Sequence, residues 1–179
     1  MSSPSIIAAN NEIQVLGSDL LDVNLDLSQA RSLLALNKIT LPSLVGSQTS
    51  PILRHAYLCF EHITGHGAPP AYDVYLNLPP AAQAMLKQSD HASMDAQLES
   101  LHFAGTLGFY GLESSSTPGL EHDGSGMNII LDVAGLLKGL RSRSDWSEQA
   151  MHISLLPREP LTANAAVSIG RISLQVAAA

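Results

Sequence analysis

The chain has 179 residues and a mass of 18.9 kDa, the size of one domain, and we expect residues 1–179 to form a single one. Apolar residues make up 45% of the sequence and charged residues 14%, which excludes an intrinsically disordered chain. The formal net charge is −7 and no Lys/Arg cluster occurs, so neither nucleic acid nor an anionic membrane is an expected partner. The single cysteine, Cys59, excludes an internal disulfide.

The N-terminal residues contain no basic segment followed by an apolar run, so the sequence shows no secretory signal peptide. No stretch reaches the roughly 18 consecutive apolar residues that a membrane-spanning helix needs. These two observations predict a cytoplasmic protein without membrane partners.

Alternating apolar and polar residues, together with one almost wholly apolar run within 52–63, predict about seven β-strands. In chain order they lie within 23–27, 52–63, 72–78, 101–109, 127–133, 151–156 and 167–176. Gly105 and Gly108 interrupt the fourth of them, which indicates a bulge or a close approach of another chain segment. This number of strands favours a mainly β fold, an antiparallel β-sandwich of jelly-roll or immunoglobulin-like type.

Two or three short helices accompany the predicted strands. Ser28 can cap a helix over 29–37, Pro79 and Pro80 can open one over 81–88, and Asp132 can cap one over 133–140. The segments between these elements that we expect to be flexible loops are 44–50, 87–95 and 112–126.

Six segments follow one another in an order that resembles a known domain. They are Tyr72-Asp-Val-Tyr-Leu-Asn-Leu-Pro, Phe103-Ala-Gly-Thr-Leu-Gly-Phe-Tyr-Gly-Leu, His122-Asp-Gly, Leu131-Asp-Val-Ala-Gly-Leu-Leu, Ile153-Ser-Leu-Leu-Pro-Arg and Val167-Ser-Ile-Gly-Arg-Ile-Ser-Leu. Together they resemble the C-terminal β-domain of the type-3 copper family, which comprises tyrosinases, polyphenol oxidases and haemocyanins. Plant members carry a Lys-Phe-Asp-Val signature there, and Ala-Tyr-Asp-Val stands in its place at 71–74. The resemblance covers 50–176 and, more loosely, a strand and helix within 12–45.

The resemblance implies a β-sandwich that covers the entrance to a copper site in the full-length proteins. In several members an inserted residue shields that site until activation. The family's oxidase chemistry belongs to a separate four-helix bundle that holds two coppers on six histidines. The only His-x-x-x-His spacing here, His62 to His66, spans a strand end and a turn, so we expect a domain that stands alone without the bundle and lacks the oxidase activity.

The first functional hypothesis is therefore a non-catalytic accessory protein that binds a partner. That partner would be a copper-oxidase-type subunit or a second copy of the chain, and no cofactor is expected. The candidate partner-binding residues are Tyr110, His122 and Asp123. Tyr110 lies on the polar phase next to the loop over 112–126, from where it can enter a partner's pocket, and the other two lie in a glycine-rich turn.

The alternative hypothesis is a small enzyme of secondary metabolism, of the lyase, cyclase or isomerase type, and it leaves open whether the chain is an enzyme. His62, His66, His102 and His152 would then be the catalytic residues. His55, His62 and His66 are the candidate ligands for a zinc or copper ion, because they share one strand and its turn. Positions 55 and 62 differ in parity, however, so a regular strand would place them on opposite sides.

Four further residues have simpler structural interpretations. Cys59 lies inside an apolar run and is expected to be a buried structural thiol, and Phe109 is expected in the core. Asp73 alternates outward from the apolar face, and Tyr75 shares this polar phase and is expected to project from the sheet.

Overall fold

The computed structural model describes residues 4–30, 53–88, 100–119, 124–143, 146–147 and 149–178. Most of the helix predicted over 29–37, the loop over 44–50 and the candidates His122 and Asp123 lie outside the described residues. Within those ranges, no helix is both long and apolar enough to cross a membrane.

The described ranges contain nine strands in two antiparallel sheets. Their bounds are β1 Ser5–Asn10, β2 Gln14–Leu16, β3 Leu21–Asp26, β4 Leu53–His66, β5 Tyr72–Leu76, β6 Phe103–Leu107, β7 Met127–Asp132, β8 Ala150–Pro157 and β9 Ala166–Ala178. The five-stranded sheet has the order β1-β9-β4-β7, with β2 also pairing with β9, and the four-stranded sheet has the order β3-β8-β5-β6. The predicted mainly β, antiparallel fold is confirmed.

Alternate residues of both sheets enter one shared core. Phe60 of β4 and Ile172 of β9 contribute from the five-stranded sheet, and Val74 of β5 and Ile153 of β8 contribute from the other, all of them 0% exposed. Full burial of one such side chain is worth about 1.5–3 kcal/mol, so this shared layer is the main force that holds the two sheets together. The arrangement is the sandwich that the alternation predicts.

Two of the strands, β1 and β2, are absent from the predicted set. The sequence Ser-Ile-Ile-Ala-Ala-Asn of β1 has no period of two, because Ile7 and Ala8 are both buried around an irregularity in its pairing with β9. β2 is three residues long, too short for a pattern. Both exist as strands because β9 offers them a partner edge, which is a tertiary cause rather than a local one.

Three helices have both ends among the described residues, α1 Pro80–Gln88, α2 Leu112–Ser116 and α3 Ala134–Arg141, and residues 100–102 are also helical. The prediction of α1 is confirmed, and α3 begins one residue later than predicted. Asp132 still serves its first turn, since its Oδ1 accepts the Ala134 N–H at 3.0 Å. The prediction of a loop over 112–126 was wrong for its first five residues, which form α2.

α1 packs on the outer face of the four-stranded sheet. Ala82 of this helix lies in a small apolar cluster with Tyr75 and Leu156, against which Phe103 packs. Lys87, at the end of α1, forms an ion pair with Asp22 of β3 at 3.2 Å. Tyr75 is 3% exposed, so the prediction that it projects into solvent was wrong, because a helix covers its polar-phase position.

The alternation of β4 changes phase between Phe60 and Ile63, which both enter the core although they are three residues apart. The pairing of β4 with β7 shifts at this point, and His62 adopts a left-handed φ of 55°. Because β4 is irregular here, the difference in parity between positions 55 and 62 does not place His55 and His62 on opposite sides of the strand. Neither histidine is part of the core.

Candidate functional site

Three of the segments that carry the family resemblance meet in one polar cluster. Asp73 of β5 is the register partner of Thr106 of β6, and the Thr106 hydroxyl donates to Asp73 Oδ1 at 2.6 Å. Arg158, directly after β8, donates from Nε to both carboxylate oxygens at 2.9 and 3.0 Å. Its Nη2 lies 2.9 Å from Oδ1 and donates to the Thr106 hydroxyl at 3.1 Å. These contacts tie two strands and the end of a third together.

This cluster stabilises the framework at one end of the four-stranded sheet. The Asp73 side chain is 14% exposed, so its charge needs the partners that it has. The backbone N–H of Arg158 also donates to the Ala71 carbonyl at 2.9 Å, which fixes the start of β5. Asp73 does face away from the core as predicted, but its place is in an ion pair with hydrogen bonds on both oxygens.

Tyr72, the neighbour of Asp73, connects this end of the sheet to the turn after β6. Its side chain is 0% exposed, its hydroxyl donates to the Gly17 carbonyl at 2.6 Å, and burial raises the pKa of the phenol. The ring lies edge-to-face against Phe109, with centroids 5.9 Å apart and an interplanar angle of 71°. Phe109 is thereby held in the core, as predicted, at the base of the turn.

Tyr110 stands at the tip of that turn and is 100% exposed. Its predecessor Phe109 is 8% exposed and Leu112, two residues later, is 1% exposed, so buried anchors flank it on both sides. The Leu112 N–H donates to the Phe109 carbonyl at 3.2 Å and closes the turn. Gly111 has a φ of 79°, a conformation in which a side chain would be strained.

α2 fixes the turn against the five-stranded sheet. The Ser116 hydroxyl accepts the Gly65 N–H of β4 at 2.9 Å and donates to the Leu112 carbonyl at 2.6 Å. A Cβ at Gly65 would clash with the backbone carbonyl oxygen of Ala166 in β9 and would lie 2.9 Å from Leu112 Cδ2, so the close packing of β9 and α2 against β4 depends on this glycine. Tyr110 is therefore an exposed aromatic side chain on a backbone that is held in place from both sides.

The three histidines proposed as metal ligands are attached to different neighbours. His55 is exposed and its ring stacks on Tyr57 at 5.9 Å, with an interplanar angle of 2°. The backbone N–H of His62 donates to Asn128 Oδ1 at 2.9 Å, and the ring Nδ1 of His62 lies 3.4 Å from the Ser125 carbonyl oxygen. His66 is exposed at the end of β4. Across the part of the chain that the structure describes, no group of three or more His, Cys, Asp and Glu could hold a metal ion.

His102 and His152 contact neighbouring residues at the end of β5: His102 contacts Leu76 and His152 contacts Asn77. His102 is 0% exposed, and its Nδ1 lies 2.8 Å from the Leu76 carbonyl, which assigns the ring proton to Nδ1. The backbone N–H of His152 donates to Asn77 Oδ1 at 2.8 Å, and the backbone N–H of Asn77 donates to the His152 carbonyl at 2.8 Å. His152 is exposed, whereas His102 is buried.

Cys59 is 4% exposed, which confirms the prediction of a buried thiol. Burial raises the pKa of this thiol, and the nearby negative charge of Glu61 raises it further. A nucleophilic cysteine needs a lowered pKa and access to a substrate, and Cys59 has neither.

Sequence reasoning did not find the partnership of Thr106 and Arg158 with Asp73, which lies 33 and 85 residues away from them. Alternation assigns a face to each residue but not a partner on another strand. One signal was available, because all three residues lie within segments that carry the family resemblance.

Comparison with known proteins agrees with the predicted relationship. Over 73 residues, 41% of this chain, the sequence is 38% identical to Tyrosinase HcTyr1 of Hahella sp. (strain CCB-MM4). The chain covers 16% of that tyrosinase, so it corresponds to a small part of its relative. The resemblance to tyrosinases is thereby confirmed over this segment.

Two solved structures are similar in outline. A latent aurone synthase (polyphenol oxidase) from natural source matches with a TM-score of 0.49 at 12% identity, over 92% of this chain and 25% of its own. A recombinantly expressed latent aurone synthase (polyphenol oxidase) matches with a TM-score of 0.45 at 12% identity, over 99% and 26%. The family described as "Domain of unknown function (DUF7868)" matches residues 3–177. Since this match includes all but the first and last two residues, the chain belongs to that family.

Proposed function

We propose that this chain is a non-catalytic accessory module that docks on a copper-oxidase-type protein and inserts Tyr110 into the entrance of its active site. The observation that carries the proposal is the complete exposure of Tyr110 between the buried anchors Phe109 and Leu112. The partial match to a tyrosinase supports a partner of this class.

Rigid exposed aromatic side chains are suited to docking. A tyrosine offers a large apolar ring and a hydroxyl at a low entropic cost, and such residues dominate the energetics of many interfaces. The backbone of this turn is ordered before any partner arrives, because Phe109 packs on Tyr72 and Ser116 bonds to Gly65. Binding then costs little additional ordering of the chain.

The use of the motif residues inside the fold supports the non-catalytic part of the proposal. Asp73, Thr106 and Arg158 bond to one another, and Tyr72 bonds to Gly17. Their contacts lead from the sheet to the base of the Tyr110 turn, since Tyr72 touches Phe109. The residues that carry the family resemblance thus stabilise the backbone beneath the exposed side chain of Tyr110.

The proposal is tested by titrating copper-loaded Tyrosinase HcTyr1 with the purified chain and measuring heat of binding. We expect a dissociation constant in the range of about 1–10 µM, and the Tyr110→Ala variant should bind at least about tenfold more weakly. Ile13→Ala is the matched control, because Ile13 is also a large exposed side chain, 71% exposed, on a different part of the surface. Equal binding of wild type and Tyr110→Ala would contradict the proposed role of Tyr110.

A further inference from the structure

Two glycines flank the exposed ring of Tyr110. Gly108 precedes Tyr110 by two residues and Gly111 follows it directly, and both glycines are exposed. The side chain between Gly108 and Tyr110 is that of Phe109, which is 8% exposed and belongs to the core. Among residues 108–111, all of which the structure describes, Tyr110 is therefore the only one whose side chain projects outward.

The space beside Gly108 is open. A Cβ at this position would meet no atom within 4 Å, and the φ of Gly108 lies outside the left-handed region. Gly65 and Gly105 differ from it, because a Cβ at those positions would press on a neighbouring strand. Where the backbone does not need glycine, a larger residue stabilises the protein by lowering the entropy of the unfolded chain. The packing of this chain therefore gives no reason for a glycine at 108.

Gly111 has a reason within the fold, since its φ of 79° is one that side chains rarely adopt. It also leaves space, because the nearest atom to a Cβ there would be Ser114 Oγ at 3.7 Å. The ring of Tyr110 thus has a bare stretch of backbone on each side of it. Glycine often marks a place where another molecule approaches the backbone closely.

The carbonyl of Gly111 is already paired within the chain. It accepts the Ser115 N–H at 3.0 Å and the Ser114 hydroxyl at 2.8 Å. A carbonyl that is paired in this way can leave water without losing its hydrogen bonds, whereas an unpaired one cannot. Glu113 is the only charged residue within 103–119, so little charge has to be desolvated when the turn enters a partner.

We infer that the Tyr110 turn enters a slot in its partner that is one aromatic ring wide, with the walls of the slot against the backbone at Gly108 and Gly111. This inference rests on the proposed docking on a copper-oxidase-type protein. A tyrosine between bulky neighbours can only lay its ring on a surface, whereas a tyrosine between glycines can be buried down to its backbone. Gly108 is then a specificity-determining residue, because a side chain there would hold the walls away from the ring.

Calorimetric titration of copper-loaded Tyrosinase HcTyr1 with variants at position 108 tests the slot. Gly108→Ala should weaken binding about threefold and Gly108→Leu at least about tenfold, because the larger side chain meets the walls more severely. Urea unfolding should give midpoints close to that of wild type for both variants, since the space beside Gly108 is open. If Gly108→Leu lowers the midpoint, the smaller Gly108→Ala decides.

Gly139→Leu is the matched control. Like Gly108, Gly139 is exposed, and a Cβ there would meet no atom within 4 Å. It lies on α3, which begins beside the Ala56 carbonyl, whereas α2 bonds to Gly65 near the other end of β4. A leucine at 139 adds the same bulk far from the Tyr110 turn and should leave the dissociation constant unchanged.

Three results would overturn the slot. Equal binding of wild type and Gly108→Leu would show that the ring docks on an open surface, and the docking proposal itself would stand if Tyr110→Ala still weakened binding. Equal weakening by Gly108→Leu and Gly139→Leu would show that the effect is not local to the turn. Absence of binding by the wild-type chain, or binding that Tyr110→Ala leaves unchanged, would overturn the docking proposal and the slot together.

Discussion

Arg158 holds Asp73 through a two-oxygen contact across 85 residues of sequence, with Nε 2.9 and 3.0 Å from the two carboxylate oxygens. The pair joins the end of β8 to β5, and Thr106 of β6 completes it. It lies one residue from Tyr72, whose ring supports the turn that presents Tyr110. The family motif and the exposed tyrosine are therefore parts of one continuous structure.

Removal of either member of this ion pair should destabilise the fold unequally. Asp73→Ala removes partners from both Thr106 and Arg158 and should cost about 2 kcal/mol, whereas Arg158→Ala should cost about 1 kcal/mol because that side chain is 55% exposed. A double-mutant cycle from urea unfolding should give a coupling of about 1 kcal/mol. The more exposed Lys87–Asp22 pair serves as the comparison, and Lys87→Ala should cost less than about 0.5 kcal/mol. Additive effects of the two substitutions at 73 and 158 would refute a coupled pair.

Two glycines of β6 and its following turn should respond differently to alanine. Gly105 has a φ of 147° and a Cβ there would lie 3.0 Å from Leu131 Cδ2, so Gly105→Ala should cost about 1–3 kcal/mol. Gly108 has open space within 4 Å, so Gly108→Ala should be nearly neutral. The midpoint of urea unfolding measures both, and equal midpoints for the two variants would show that the approach of β6 to β7 does not require a glycine.

The chain should lose stability at alkaline pH. Burial raises the pKa of the Tyr72 phenol above its ordinary 10.0 and that of the Cys59 thiol above its ordinary 9.0. The unfolded chain releases these protons first, so their contribution to stability is complete below the unfolded pKa values and is lost as pH rises through the folded ones. The free energy of unfolding should therefore fall from about pH 9 upward.

Substitution separates the two groups. Tyr72→Phe should remove the part of this fall above about pH 10, and Cys59→Ala the part that begins near pH 9. At neutral pH, Tyr72→Phe should also cost about 1 kcal/mol, because the Gly17 carbonyl loses its donor. Urea unfolding at a series of pH values provides both quantities, and an unchanged alkaline slope in both variants would contradict the assignment.

The alternation of apolar and polar residues predicted most strands of the sandwich but not the helices and contacts that join and cover them. Alternation identified β5 and β9, and an almost wholly apolar run identified β4. Alternation failed at Tyr75, since α1 buries the polar phase there, and at Leu112–Ser116, where serines bond back to the Leu112 carbonyl and tolerate a short helix. The packing of α1 over Tyr75 is a tertiary contact, and the serine hydrogen bonds in α2 are local side-chain contacts. An alternation of apolar and polar residues predicts neither of them.

The candidate site divides in the same way. Tyr110 and Phe109 could be assigned to solvent and core from their phases alone, and both assignments are confirmed. The contact between Asp73 and Arg158 could not be predicted from the sequence, because it depends on which strands become neighbours. Three of the five candidate histidines share β4, whereas His102 lies directly before β6 and His152 lies on β8, and sequence spacing alone could not determine their neighbours.

Inhibition kinetics test the central proposal most directly. Initial rates of Tyrosinase HcTyr1 on a small phenol should show that the chain raises the apparent KM and leaves kcat unchanged, since Tyr110 would occupy the substrate entrance. Tyr110→Ala should raise the inhibition constant at least about tenfold, while Ile13→Ala should not change it. Absence of inhibition at about 100 µM chain, or inhibition that Tyr110→Ala leaves intact, would contradict the account.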